Sequence, residues 1–193
     1  MQMAVSNGSK VRRSNPQETA ALPMNHTHQT DRKLLRMTEL THLDEDGHVR
    51  MVDVSDKDVT ARSATARSIV RLPEIARAVL AAGGDTKKGN VMQIARIAGI
   101  QAAKRTSDLI PLCHQIALTG VTVDLHLAGD ALTIEATARC HGQTGVEMEA
   151  LTAVSVAALT VYDMLKAVSH DVVIERTELL TKSGGRSGDI DRR

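Results

Sequence analysis

Thr144-Gly145-Val146-Glu147-Met148-Glu149-Ala150-Leu151-Thr152 opens an apolar run that continues to Val161 and ends at Tyr162, Asp163 and Lys166; the fold turns on how this stretch is read. Thr144 and Glu147 stand at the spacing of a capping box, which predicts that a helix starts here. From Ala150 to Val161 the chain carries no charge, and a helix apolar on every side is buried on every side. Asp163 and Lys166, at i and i+3, then share one face of one turn. Buried charge is costly unless it is paired, hydrogen-bonded or put to use. The plain reading is a core helix whose polar end reaches solvent; the sharper reading makes the pair functional. Glu147 and Glu149 lie about 200° apart around a helix, which argues against a paired acid and base.

Two β runs precede this helix, at about 116–127 and 131–140. Val121, Val123, Leu125 and Leu127 alternate with Thr122, Asp124 and His126, the pattern of a half-buried strand. Ala128-Gly129-Asp130 is the hairpin turn between them. A last strand is expected from about Val172 to Leu180, followed by the glycine-rich Lys182-Ser183-Gly184-Gly185-Arg186-Ser187-Gly188-Asp189. Further upstream, Pro111 interrupts regular structure and holds the next residues extended. Asn90 caps a helix over about 91–105, with Ile94, Ile97, Ala98 and Ile100 to Ala102 on its inner side. Pro73 suits the first position of a helix ending at Gly83-Gly84. Ala66 to Leu72 and Val49 to Val54 read as strands, the latter after a turn at Asp44-Glu45-Asp46-Gly47. This order predicts an α+β fold: a ferredoxin-like antiparallel sheet, βαββαβ, with helices packed on one face.

Composition narrows the function classes. A chain of 193 residues is long enough for one domain with a proper core. A net charge of +1 calls for no nucleic-acid partner, and one Tyr with no Phe or Trp leaves no stacking surface for single strands. The core must be built from Ala, Val, Leu, Ile and Met. Two cysteines are too few for a disulfide framework and fit a reducing, cytoplasmic location. No apolar run reaches the length of a membrane span, and the basic N-terminus lacks the apolar region of a secretory signal. Residues 1–38 are expected to form a flexible arm ahead of a domain over residues 39–190.

Several side chains invite a chemical reading. Cys113-His114 and Cys140-His141 suggest zinc, but their spacing matches no tight ligand pair, so no metal site is predicted. His114, at the exit from a helix, faces a cleft or does not; the local sequence favours neither. Lys87-Lys88-Gly89 is a solvated loop or a phosphate clamp. Ser183 to Gly188 is phosphate-cradle-like but lacks the Walker spacing.

Four blocks, in order, resemble the MoaC family of molybdenum cofactor biosynthesis. They are Ala98-Gly99-Ile100-Gln101-Ala102-Ala103-Lys104-Arg105-Thr106, Leu109-Ile110-Pro111-Leu112-Cys113-His114, Thr144 to Thr152, and Lys182-Ser183-Gly184-Gly185. The resemblance spans residues 39–190; Gln115 stands where the family usually has Pro, and residues 1–38 have no counterpart. It implies a lyase-type rearrangement of a cyclised GTP derivative, 3′,8-cyclo-7,8-dihydroguanosine 5′-triphosphate, to a cyclic pyranopterin monophosphate and diphosphate. It implies catalytic roles for Asp163, Lys88 and Lys166, and substrate contacts from Leu112, Cys113, His114, Met148 and Glu149. Arg62, Lys88, Lys166 and Lys182, on separate segments, are then the cations available to a triphosphate. No cofactor is implied beyond Mg2+ accompanying that triphosphate. The implied assembly is a homohexamer, a trimer of dimers. The active site is expected at the dimer interface, because Glu149 and Asp163 lie about 21 Å apart along one helix. Two other classes fit the residues: a module that binds a pterin or nucleotide without turning it over, and an assembly protein that uses the apolar helix as a surface.

Overall fold

The computed structural model describes residue 43, residues 46–186 and residues 188–193, all within the compact unit Thr41–Arg193. The arm expected over residues 1–38 lies outside the described residues. In chain order the elements are β1 (Thr60–Arg71), α1 (Glu74–Ala81), β2 (Asp85–Thr86), β3 (Gly89–Asn90), α2 (Val91–Lys104), α3 (Thr106–Leu109), β4 (Leu118–Ala128), β5 (Ala131–Gly142), α4 (Glu147–Leu165), β6 (Val173–Ser183) and β7 (Ile190–Asp191). The main sheet has the order β4-β5-β1-β6-β7, with every neighbouring pair antiparallel. Helix α4 packs across β1, β5 and β6, and α2 packs on β4 and along α4. Stripped of its short pieces this is β1-α2-β4-β5-α4-β6, the predicted ferredoxin-like α+β fold.

The central strand shows why the layers form. Ala64, Ala66, Ser68 and Val70 of β1 alternate inward and are fully buried, as the two-residue strand period requires. The outward residues answer water with ion pairs: Arg67 to Glu178 at 2.7 Å, and Arg71 to Asp130 at 2.6 Å and Glu175 at 2.9 Å. The buried set contains no aromatic side chain. Ala150, Ala153, Ala157 and Ala158 of α4 share one buried cluster with Ala64, Ala66, Ala136 and Ala138 of the sheet, all at most 1% exposed. Small side chains leave a gap unless the backbones approach closely, and they do. At Gly99 of α2 an added Cβ would lie 3.0 Å from the Ala153 carbonyl oxygen and 3.2 Å from Val123.

Several expectations are met closely. Asn90 Oδ1 accepts from the Gln93 amide at 3.1 Å and starts α2. Gly83 and Gly84 close α1, the Gly84 amide donating to the Val79 carbonyl at 2.9 Å. Gly129, at φ 60°, turns the β4–β5 hairpin.

Others are corrected. No strand forms over residues 49–54; the pairing there is a single bridge, Leu43 to Val49. Strand β1 begins at Thr60, six residues before the expected Ala66, because pairing with β5 on one side and β6 on the other extends it through a stretch of weak local signal. The capping box fails: α4 starts at Glu147 with Val146 before it and no side-chain cap. Ile97, assigned to the inner side of α2, is 59% exposed, as is Leu159 on the outer side of α4. Helix α4 is therefore not buried all round. At 19 residues it is long and apolar enough to span a membrane, against the expectation that no run reaches that length. Here it is the core helix of the domain.

Gly99→Val should lower stability by about 1–3 kcal/mol, the usual cost of overpacking, by driving α2 away from α4. Urea denaturation monitored by circular dichroism checks this; an unchanged midpoint would show that the helices do not need that approach.

Candidate active site

Two adjoining clefts and one surface cluster hold the charged side chains of interest. The first cleft, about 440 Å³, is lined by the cations Lys57, Arg62, Lys182 and Arg186 against the acids Asp58 and Glu147. Arg62 leaves β1 with two of its nitrogens committed: Nε donates to the Gly142 carbonyl at 2.8 Å and Nη2 to the Gln143 carbonyl at 3.1 Å. Its Nη1 edge faces Gly185, at φ 87°, where a side chain would collide with it. The Gly184-Gly185 pair thus lets the tail pass β1 and leaves one edge of the guanidinium open. Lys182 is held in β6, its side chain only 12% exposed, with Nζ 3.4 Å from Glu147. Fixed cations on strands, with donors to spare, suit an anionic ligand of phosphate type.

The second cleft, about 310 Å³, shares Lys57, Thr144, Gly145 and Glu147 with the first. Its far wall is Leu112, Cys113, His114, Met148 and Glu149. The turn after α3 supplies the first three, fixed where the Cys113 amide donates to the Ile110 carbonyl at 3.1 Å. Pro111 and Leu112 are thus part of a turn, not an extended segment. His114 joins the cleft wall while its Nε2 meets the Val52 carbonyl at 2.7 Å. Both cysteines are free thiols. Burial pushes the Cys113 thiol up, and Glu149 adds to the effect. Glu149, in the first turn of α4, is 3% exposed and its Oε2 has no partner. Removal from water raises its carboxyl from 4.5 to about 7; the neighbouring Glu147 adds to the rise, and the Glu149 amide opposes it. Glu147 folds back against Gly145, where an added Cβ would collide with it.

The cluster lies at the other end of α4. Lys88, in the turn between β2 and β3, places Nζ 2.8 Å from Asp163 Oδ2 and 3.1 Å from the Asp163 carbonyl oxygen. Lys166 Nζ sits 2.8 Å from Oδ1. The two ammonium groups hold the Asp163 carboxyl down at about 2, Lys166 contributing most. Asp163 in turn holds the Lys166 ammonium above its usual range. All three side chains are about half exposed.

The structure thus divides the ten residues singled out from sequence into two groups. Arg62, Lys182, Leu112, Cys113, His114, Met148 and Glu149 surround the paired clefts; Lys88, Asp163 and Lys166 form the cluster. The four cations do not meet within one chain. Lys57, Gln143, Glu147 and Arg186 also line the clefts. No local pattern marked Lys57 or Gln143, and Arg186 was visible only as part of the glycine-rich tail. Among the described residues no three His, Cys, Asp or Glu side chains stand close enough to hold a metal.

This is a ferredoxin-like α+β domain with one cleft lined by four cations and an adjoining cleft whose wall includes Leu112, Met148 and the buried Glu149 carboxyl. The MoaC family model matches residues 51–185, so the chain belongs to the MoaC family. It is 57% identical over 157 residues to a cyclic pyranopterin monophosphate synthase of Chloroflexus aurantiacus, covering 80% of this chain and 95% of that one. It is 59% identical over 157 residues to the protein of that name from Roseiflexus sp., covering 80% and 98%. A third of that name, from Parvibaculum lavamentivorans, is 57% identical over 153 residues, covering 78% and 95%.

The carboxyl of Glu149 binds its proton more tightly in the folded chain than in the unfolded one. The stability this gives is complete below pH 4.5 and is lost as pH rises through about 7. Relative to Glu149→Gln, the parent protein should lose about 3 kcal/mol across that window, at 1.36 kcal/mol per unit of displacement. Urea denaturation of both proteins at several pH values measures it; parallel curves would show that Glu149 titrates normally.

Proposed function

We propose that the chain is a cyclic pyranopterin monophosphate synthase of molybdenum cofactor biosynthesis, a lyase. It takes 3′,8-cyclo-7,8-dihydroguanosine 5′-triphosphate to cyclic pyranopterin monophosphate and diphosphate. The observation that carries the reading is the convergence of Lys88 and Lys166, from segments far apart in sequence, on separate oxygens of one carboxylate, in a chain of this family. The catalytic residues are Asp163, Lys88 and Lys166. Arg62 and Lys182 bind the phosphates, and Leu112, Cys113, His114, Met148 and Glu149 receive the ring.

The chemistry follows from the groups. Making a cyclic monophosphate and diphosphate from a triphosphate requires an internal hydroxyl to attack the α-phosphorus while the bond to the β-phosphate breaks. Negative charge grows on the departing diphosphate, and Arg62 and Lys182 offset it. Reshaping a purine-derived ring needs proton donors and acceptors. Lys166, held protonated by Asp163, donates; Glu149, near 7, exchanges protons close to neutrality. Mg2+ enters only as a companion of the triphosphate.

The site is completed between two subunits. Glu149 and Asp163 are about 21 Å apart along α4, too far to serve one small substrate in one chain. Two such helices antiparallel across a twofold axis bring Glu149 of one beside Asp163 of the other. Leu159 and Ile97, each 59% exposed on the outer helical face, support burial there. The assembly is a homohexamer of three such dimers. The protein works in the cytoplasm without nucleic acid or membrane, with residues 39–190 as the catalytic domain.

Asp163→Asn and Lys166→Ala should each cut diphosphate release from the cyclised nucleotide by about a hundredfold or more. Their stability should fall little, because water screens an exposed ion pair. Near-normal turnover in either would end the assignment. A mixture of Glu149→Ala and Asp163→Ala proteins, after subunit exchange shown by mass, should regain activity; no recovery would place the whole site in one chain.

A further inference from the structure

One side chain on the wall of the basic cleft has no part in the chemistry above. Gln143 follows directly on β5. Its Nε2 donates to two backbone carbonyls, Ser55 at 3.1 Å and Lys57 at 3.0 Å. Its own carbonyl accepts from Arg62 Nη2 at 3.1 Å. A single residue therefore ties together two cationic parts of the cleft that lie on different segments.

The segment it holds needs holding. Residues 51–59 form no helix or strand and are mostly exposed. Within the segment, Asp53 Oδ1 accepts from the Ser55 amide at 2.9 Å and hydroxyl at 2.7 Å, and the Lys57 amide donates to the Val54 carbonyl at 3.0 Å. Its hydrogen bonds to the rest of the described domain are His114 Nε2 on the Val52 carbonyl and Gln143 Nε2 on the Ser55 and Lys57 carbonyls. Each binds a carbonyl, so what they fix is the path of the backbone. That path delivers Lys57 to the place where the clefts meet, since Lys57 lines both. Among the described residues no carboxylate pairs with the Lys57 ammonium, which leaves it available to a ligand. The amide suits the task chemically: one NH2 group carries two protons for two carbonyls, whereas a carboxylate would turn lone pairs toward them.

We propose that Gln143 is a positioning residue of the phosphate site: by holding the Ser55 and Lys57 carbonyls it sets the Lys57 ammonium at the junction of the two clefts, where the phosphate chain of the ligand meets its ring. This rests on the reading of the basic cleft as a phosphate site.

The probe is inorganic diphosphate, titrated by calorimetry into the full-length protein and its Arg62→Ala, Lys57→Ala, Gln143→Met and Lys57→Ala/Gln143→Met variants. Methionine keeps the length of Gln143 and removes both donors. Lys57→Ala and Gln143→Met should each weaken binding about tenfold, the loss of one charge-assisted contact. The double variant should be no weaker than Lys57→Ala alone, because Gln143 acts through Lys57. A role confined to shape or stability would give additive losses, and that result overturns the proposal. So does unchanged affinity in Lys57→Ala, which removes no hydrogen bond that holds the segment and so tests the idea even if Gln143→Met fails to fold. Weakened binding in Arg62→Ala with none in Gln143→Met would sink this proposal and leave the phosphate reading standing. Failure of the unmodified protein to bind diphosphate would overturn both.

Discussion

A buried set without aromatic side chains forces the backbones of this domain close together. Alanine and glycine fill little volume, and an interior at normal density tolerates few voids. The layers therefore meet through Ala150, Ala153 and Ala157 on α4, Ala64 and Ala136 on the strands, and Gly99 on α2. Close approach leaves α4 little freedom to slide or rotate. Its two ends consequently carry their side chains to fixed places: Glu147 and Glu149 to the clefts, Asp163 and Lys166 to the cluster with Lys88. The site inherits its precision from a core of small residues.

The same helix sets two carboxyl groups in opposite electrostatic conditions. Asp163 is half exposed and flanked by two ammonium groups, so pairing dominates and holds it down at about 2. Glu149 is removed from water with an oxygen unpartnered, so desolvation dominates and lifts it to about 7. One remains charged at any working pH while the other changes state near neutrality. Such a division lets one helix hold one acid charged while the other changes protonation state. The unpartnered Glu149 oxygen costs stability in the chain by itself. A ligand that donates to it removes that cost on binding.

The clefts depend equally on a segment with no regular structure. Residues 51–59 contribute Val52, Val54 and Lys57 to the walls without belonging to the sheet. Side chains from the two other walls, His114 and Gln143, bind its carbonyls. Cleft shape is thus a property of three segments held to one another.

The alternation at Val121 to Leu127, the Ala128-Gly129-Asp130 turn, the Asn90 cap and the uncharged run after Ala150 were enough for the order of the main elements and hence for a ferredoxin-like α+β fold. They suffice because helix caps, turns and side-chain period act over a few residues. Two of the family blocks hold residues that line the second cleft, Leu112 to His114 and Met148-Glu149. What the sequence could not reveal is longer in range. Strand β1 starts at Thr60 because β5 pairs it from there and β6 joins at Ser63, not because Ala61 to Thr65 favour a strand. Helix α4 starts at Glu147 because the preceding loop is drawn into the cleft wall, which overrides the local capping pattern. Gln143 carries no local signal, since the carbonyls its side chain holds lie more than 80 positions away. The partition of the charged residues into two groups is likewise a consequence of helix rise and sheet order: local sequence determined which residues are charged, and tertiary packing alone decided which of them meet.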